Sequence, residues 1–422
     1  MATAAEAFLI RYGMVNPAFD IQACAAKMCG EMERGLKGEH SSYPMIPTYL
    51  KTSGKVPEGE YVAVIDAGGT NFRSALAHFE NGCCHVEQVK KIGMPGIEKP
   101  VSWEEFISFV ADAVDPFMDR ADKIGFCFSY SADITPEIDG RVNEIDKEVV
   151  ITGCEGRLVG ADLCRELARR GYSGKRAVII NDTAAVQLGG MAKHLNDGFV
   201  SCFGQVSGTG TNTCAAVPGR KIGKIEQAFD MIVNFECGSY EGLEQGLFDR
   251  ELDENSHNPG KKHLEKMTAG VYLGELCHLA LCRAVADGLL SEECGEKLRT
   301  LPVLTSAEAD AFSCGKGMED FTYRLQDAAF IKDLAGILFC RSARLMCANL
   351  IAMAELTDAG RDGPTAVFAE GSLVQHSHLY APELRRLLKE HMQEELGRDV
   401  QLVIEEDSTL PGAAAAALLN LH

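Results

Sequence analysis

Two stretches of this chain are built to the same plan, and that repetition narrows what it can fold into more than any other feature. Residues 61–78, YVAVIDAGGTNFRSALAH, run through β-favouring Tyr61, Val62, Val64 and Ile65 to Asp66, reverse at Gly68 and Gly69, and leave through Phe72, Ala75 and Leu76. Residues 199–217, FVSCFGQVSGTGTNTCAAV, repeat the order of strand, glycine turn with Thr and Asn, then strand. Adjacent glycines reach positive φ and let backbone N–H groups approach an anion, while Thr70 and Asn71 add donors and Arg73 a cation. One Gly-Gly turn is equally an ordinary hairpin. Two in one chain point to a phosphate chain gripped from both sides by related halves. Neither turn has the spacing of a P-loop or of a dinucleotide-binding helix start.

With 41 basic and 61 acidic residues the formal net charge is −20, which argues against a nucleic-acid or anionic-membrane partner. A polyanion must therefore be met by backbone donors and a few chosen cations. At 422 residues, 46% of them hydrophobic, the chain has material for about two or three domains. Its sixteen cysteines are scattered through apolar segments with no C-x-x-C, a pattern of buried free thiols rather than a zinc cage or a disulfide framework. No apolar run approaches the ~20 residues of a bilayer span, and the expectation is a soluble cytoplasmic protein.

Strands and helices alternate along the chain, which indicates an α/β architecture with its ligand site at strand carboxyl ends. Residues 20–38 have the apolar spacing of an amphipathic helix. Residues 41–60, with Pro44, Pro47 and Pro57, read as an extended connector. Further strands are expected near 86–90, 123–130, 177–180, 232–236 and 366–369. Helices are expected over 103–118, 158–169, 263–290 and 331–356, with a docked terminal helix at 411–421.

Asp182 follows a strand, between Asn181 and Thr183. A carboxylate so placed can accept the proton of an attacking hydroxyl; it can equally be the N-cap of a helix over 183–193. Asn181, Asn212, Glu236 and Glu275 are the residue types that hydroxyl-rich ligands require, since carboxylates accept from hydroxyls and amides both give and accept. Each alone also reads as a solvated surface group.

The ordered segments IDAGGTNFR (65–73), NDT (181–183), SGTGTN (207–212), VNFECGSYEG (233–242), LEKMTAGVYLGEL (264–276), EGSL (370–373) and GAA (412–414) resemble the motifs of the eukaryotic-type hexokinase and glucokinase family, collinearly over nearly the whole chain. EMERGL (31–36), MIPTYL (45–50) and residues 338–356 extend the resemblance. It implies a two-domain α/β fold of the actin-like ATPase superfamily, with ATP, Mg²⁺ and a hexose in the interdomain cleft. The implied division is a small domain over 61–181, a large domain over 182–407 joined by 1–60, and a C-terminal helix, 408–422, returning to the small domain.

By the same resemblance Asp182 is the general base on the sugar 6-hydroxyl, and Lys147 compensates charge beside it. Ser129, Lys147, Asn181, Asn212, Glu236 and Glu275 match sugar contacts. Gly68, Gly69, Thr70, Asn71, Arg73, Gly208 and Thr209 match phosphate grips, Gly371 and Ser372 the adenosine end, and Asp66 the carboxylate on the Mg²⁺ side; no direct protein metal site is implied beyond Mg²⁺ travelling with ATP near Asp66 and Asp182. Three segments depart from the family pattern: Ser129-Tyr130-Ser131 replaces Ser-Phe-Pro, Asp146-Lys147-Glu148-Val149 replaces Thr-Lys-Gly-Phe, and DSTLP at 407–411 replaces a Gly-Ser-Gly-Lys-type turn. Rival readings are a hexose sensor with decayed catalysis and a filament or chaperone ATPase on the same fold. Zinc-carrying ROK sugar kinases are a third, against which the missing cysteine motif counts.

Overall fold

The structure, a computed structural model, describes residues 2–51, 55–69, 71–145, 149–226, 228–317 and 324–421. Two mixed sheets share one topology. In the smaller, Tyr61–Gly68 pairs antiparallel with Asn71–Glu80, which pairs antiparallel with Cys83–Gly93; on its other side it runs parallel to Lys123–Phe128 and then Arg176–Ile180. In the larger, Ser201–Ser207 takes the central place, with Thr211–Val217 and Met231–Asn234 antiparallel on one side and Thr365–Glu370 and Val400–Ile404 parallel on the other. The two glycine hairpins therefore occupy equivalent positions in equivalent sheets.

Residues 41–60 are more than a connector: Ile46–Lys51 adds an antiparallel edge strand to the larger sheet beside Met231–Asn234. Pro47 is tolerated there because an edge strand leaves one row of N–H groups unpaired. The expected amphipathic helix is Ile21–Lys37, capped by the Asp20 side chain at one end and by left-handed Gly38 at the other.

A helix follows the last strand of each sheet, and each crosses to the opposite sheet. Asp182–Lys193 lies on the larger sheet so closely that a side chain at Gly204 would stand 2.4 Å from the Thr183 carbonyl oxygen. Thr409–Asn420 lies on the smaller sheet, where a Cβ at Gly125 would meet the Ala413 carbonyl at 2.1 Å. The two helices also touch each other, since a Cβ at Gly412 would fall 1.9 Å from the Ala185 carbonyl oxygen. The run GAAAAA at 412–417 is thus the small-residue surface that lets two helices stack between two sheets, and every residue from Thr409 to Leu418 is buried.

The larger core gathers around Leu325–Thr357, whose residues from Leu345 to Ala354 are all buried. By length and composition this helix is apolar enough to cross a membrane, contrary to the sequence expectation, yet 78% of its most apolar window is buried in the core. Its Asn349 ties it to the larger sheet, accepting from the Tyr43 hydroxyl at 2.8 Å and donating to Thr213 Oγ1 at 3.2 Å.

The helix expected over 263–290 is two helices, His263–Thr268 and Gly270–Ala286, broken at Ala269, whose backbone is extended. At the break the Gly270 N–H donates to the Gly208 carbonyl at 2.7 Å, so the second glycine turn is anchored on the interruption.

Candidate active site

Asp66 stands near the end of its strand, directly opposite Arg73 in the antiparallel register and Cys127 in the parallel one. Its Oδ2 accepts from Arg73 Nε at 3.0 Å, from Arg73 Nη2 at 2.6 Å and from Thr409 Oγ1 at 3.1 Å. Arg73 Nη1 also donates to Asp407 Oδ1 at 2.7 Å. The residues DSTLP, where the sequence departs from the family turn, thus supply two partners to the hairpin arginine. Next along, the Ser408 N–H donates to Glu370 Oε2 at 3.0 Å. Burial raises the Glu370 carboxyl, against the lowering influence of the Ser408 N–H, Lys193 and Arg73. Arg73 on the smaller sheet therefore reaches the end of the larger one.

Glu370 leads into Gly371 at φ +124°, where a side chain would meet the Ser207 carbonyl oxygen at 2.5 Å and the Gly208 nitrogen at 2.9 Å. Only glycine fits, and its absence of a side chain is what lets the 370–372 turn nest against the second glycine hairpin. Gly208 is buried while Thr209 and Ser372 are exposed. On the first hairpin Gly69 is left-handed at φ +53°, and the Tyr130 hydroxyl donates to its carbonyl oxygen at 3.3 Å. The Tyr in place of the family Phe thereby braces the turn. Gly68, Gly69, Asn71, Gly208, Thr209, Gly371 and Ser372 all lie at these three turns; Thr70 lies outside the described residues.

Asp182 is the first residue of its helix and not its cap. Asn181 is the N-cap, its Oδ1 accepting from the Thr183 N–H at 2.9 Å, and Asp182 Oδ1 accepts from the same N–H at 2.7 Å and from Thr183 Oγ1 at 3.1 Å. The choice between base and cap dissolves once the neighbouring amide takes the capping geometry. Asp182 is half-buried and its charge is felt in both sheets. The Cys127 thiol in the smaller sheet is pushed well up, first by burial and then by the carboxylates of Asp66 and Asp182. In the larger sheet Cys214 is raised chiefly by burial, with Asp182 contributing.

On the larger-sheet side Asn212 Nδ2 donates to Asn234 Oδ1 and to Glu236 Oε1, both at 2.8 Å, and Asn234 Nδ2 donates to Glu236 Oε1 at 2.9 Å. Glu236 lies two residues beyond its strand, at left-handed φ +54°. Its Oε2 accepts from Lys262 Nζ at 3.0 Å. Burial would raise this carboxyl, but Lys262 and the two amides overcome it and hold the group below its ordinary range.

Glu275 does not join this group. It sits half-buried on Gly270–Ala286, one residue from Gly274, whose face packs against residues 304–306, and burial alone raises its carboxyl. Among the causes of that shift there is no charged or hydrogen-bonding neighbour, unlike Glu236. The second carboxylate here is Glu265, whose Oε2 accepts from the Thr211 N–H at 3.0 Å and whose Cβ stands 3.0 Å from where a Gly238 side chain would begin. The motif LEKMTAG contains Glu265, but reading 263–290 as one helix gave no reason to prefer it. Asn234 and Lys262 were missed as well. Asn234 follows from the register, which sets it opposite Cys214 next to Asn212; Lys262 has no sequence signal.

Ser129 stands at the end of the smaller sheet beside the first glycine turn, its N–H donating to the Ala67 carbonyl at 3.1 Å and its Oγ 3.3 Å from where a Gly68 side chain would begin. Lys147 lies outside the described residues, so its expected role beside the sugar has no geometry.

Residues 11–191 and 202–419 match two family profiles, each described as Hexokinase. The chain is 28% identical over 451 residues to Hexokinase-1 of Nicotiana tabacum, covering 96% of this chain and 88% of that one. It is 29% identical over 433 residues to Hexokinase-1 of Rattus norvegicus, covering 91% of this chain and 45% of that one. Among solved structures it superposes on the hexokinase from Schistosoma mansoni complexed with glucose, with a TM-score of 0.81 at 20% identity over 99% of this chain and all of that one. The fold is the mixed α/β fold of those hexokinase structures.

Proposed function

The chain belongs to the hexokinase family, and on that premise we propose that it transfers the γ-phosphoryl of MgATP to the 6-hydroxyl of a hexose, glucose first among candidates. The observation that carries this reading is the position of Asp182. Its carboxylate opens the helix that leaves the smaller sheet for the larger, near enough to Cys127 in one sheet and Cys214 in the other to raise both thiols, and Asp66 acts on the same Cys127.

In this reading Asp182 accepts the proton of the 6-hydroxyl, and its hydrogen bonds from Thr183 hold the carboxylate oriented. Asn181, Asn212, Asn234, Glu236 and Glu265 bind the sugar hydroxyls, with Ser129 contributing from the opposite wall. The turns at 68–71, 208–209 and 371–372 hold the nucleotide. Mg²⁺ would come with ATP, held mainly by the substrate phosphates near Asp66 and Asp182, and would neutralise charge on the transferring phosphoryl. Because Ser129 and the Asn212–Glu236 group belong to opposite walls, a sugar touching both draws them together and excludes water, the competing nucleophile. The sixteen free cysteines support a reducing, cytoplasmic setting.

A coupled assay of ADP release with a panel of hexoses, read as kcat/KM, tests this. Sugar-dependent ADP release is expected. ATP hydrolysis indifferent to sugar, or sugar binding without turnover, overturns it.

A further inference from the structure

The sugar side of the crevice contains a cation that a site for neutral hydroxyls does not need. Lys262 Nζ lies 3.0 Å from Glu236 Oε2, with its side chain 35% exposed. Burial would weaken this ammonium, but the carboxylates of Glu236 and Glu265 outweigh that and hold it protonated. Glu236 at φ +54° and Lys262 at φ +57° are both left-handed without being glycine. Such conformations are held at some cost and gather at ligand sites. Here the two turns that adopt them carry the two ends of one ion pair.

We propose that Lys262 is a specificity-determining residue, whose positive charge beside Glu236 admits neutral hexoses and turns away aminohexoses that arrive as ammonium ions. The proposal rests on the hexose-kinase reading above. Without Lys262 the site would present two carboxylates and two amide oxygens, a set that attracts ammonium. With it, a ligand group bonded to Glu236 at an ordinary ~2.8 Å comes within about 6 Å of Nζ. Like charges at that separation in a half-wet cleft repel by enough to change binding about tenfold or more. A hydroxyl at the same place is unaffected by the sign of the charge and can accept a hydrogen bond from the ammonium.

The test compares glucose, 2-deoxyglucose and glucosamine as substrates of the wild type, Lys262→Gln and Lys262→Arg. 2-Deoxyglucose lacks the same hydroxyl without adding charge, so the ratio of kcat/KM for glucosamine to that for 2-deoxyglucose isolates the electrostatic part. In the wild type glucosamine is expected to trail by about tenfold or more; Lys262→Gln closes that gap by about tenfold, and Lys262→Arg keeps it. Should Lys262→Gln turn over too slowly, the two sugars' dissociation constants by calorimetry give the same ratio. A ratio unchanged between wild type and Lys262→Gln overturns the proposal. If the wild type phosphorylates no hexose at all, the functional reading itself fails, which is a different result.

Discussion

Gly371 offers the sharpest structural perturbation because nothing around it can yield cheaply. In Gly371→Ala the new Cβ would stand 2.5 Å from the Ser207 carbonyl oxygen, so relaxing to an ordinary contact of roughly 3.4 Å requires a backbone shift of about 0.9 Å. Ser207 ends a strand bonded along its length to Thr365–Glu370, with Val206 opposite Glu370, and both flanks of the contact are therefore fixed. Overpacking of this kind costs about 1–3 kcal/mol. The backbone at φ +124° and ψ 154° is essentially reserved for glycine, which adds about 1–3 kcal/mol. The sum is about 2–6 kcal/mol. At about 2.1 cal/mol/K per residue over 422 residues, each kcal/mol moves the melting temperature by about 1 °C. Differential scanning calorimetry should thus show a fall of roughly 2–6 °C, and kcat/KM for ATP should drop about 10²-fold as the 207–209 turn is displaced. Gly69→Ala is the control: φ is +53° with no atom within 4 Å, so only the left-handed backbone cost of about 1–2 kcal/mol applies. A Gly371→Ala protein that melts with the wild type and binds ATP normally would refute the nested-turn geometry.

Two further outcomes follow from the sugar side. Glu265→Gln should lower kcat/KM for hexose about 10–100-fold, the worth of one hydrogen bond to a charged group, while Glu275→Gln leaves it near the wild type; equal effects in a sugar titration would place Glu275 back in the site. The Glu236–Lys262 pair should stabilise the fold fully between about pH 4.3 and about pH 10.4, the unfolded values of the two groups. Its contribution is lost as pH falls through the depressed Glu236 value or rises through the raised Lys262 value. Urea midpoints of the wild type and Glu236→Gln should differ at pH 7 and converge toward pH 3; a difference independent of pH contradicts the pairing.

Much of this architecture could be read from the residues because local signals agreed with the global fold. The hairpins at 61–78 and 199–217 announced themselves through glycine and β-branched patterning, and the alanine run at 412–417 announced a docked helix. What the chain kept hidden was non-local. A single glycine, Gly270, is a weak break signal by propensity, and what accompanies the interruption is non-local: the Gly270 N–H donates to the Gly208 carbonyl, some sixty residues away. On the near side of the break Glu265 accepts from the Thr211 N–H, while Glu275 on the far side feels burial alone. Asp182 looked like a cap because caps and first-turn acids share residue types, and only coordinates could show that Asn181 takes the capping bond. Lys262, preceded by Lys261 in an unremarkable loop, gains meaning only from the carboxylate it faces.

Single-turnover hexose phosphorylation by Asp182→Ala tests the role of this carboxylate most directly. Loss of at least ~10² in rate, with MgATP affinity within a few-fold of the wild type, is the expected result. Phosphoryl transfer at the wild-type rate in that variant would contradict a general-base role for Asp182.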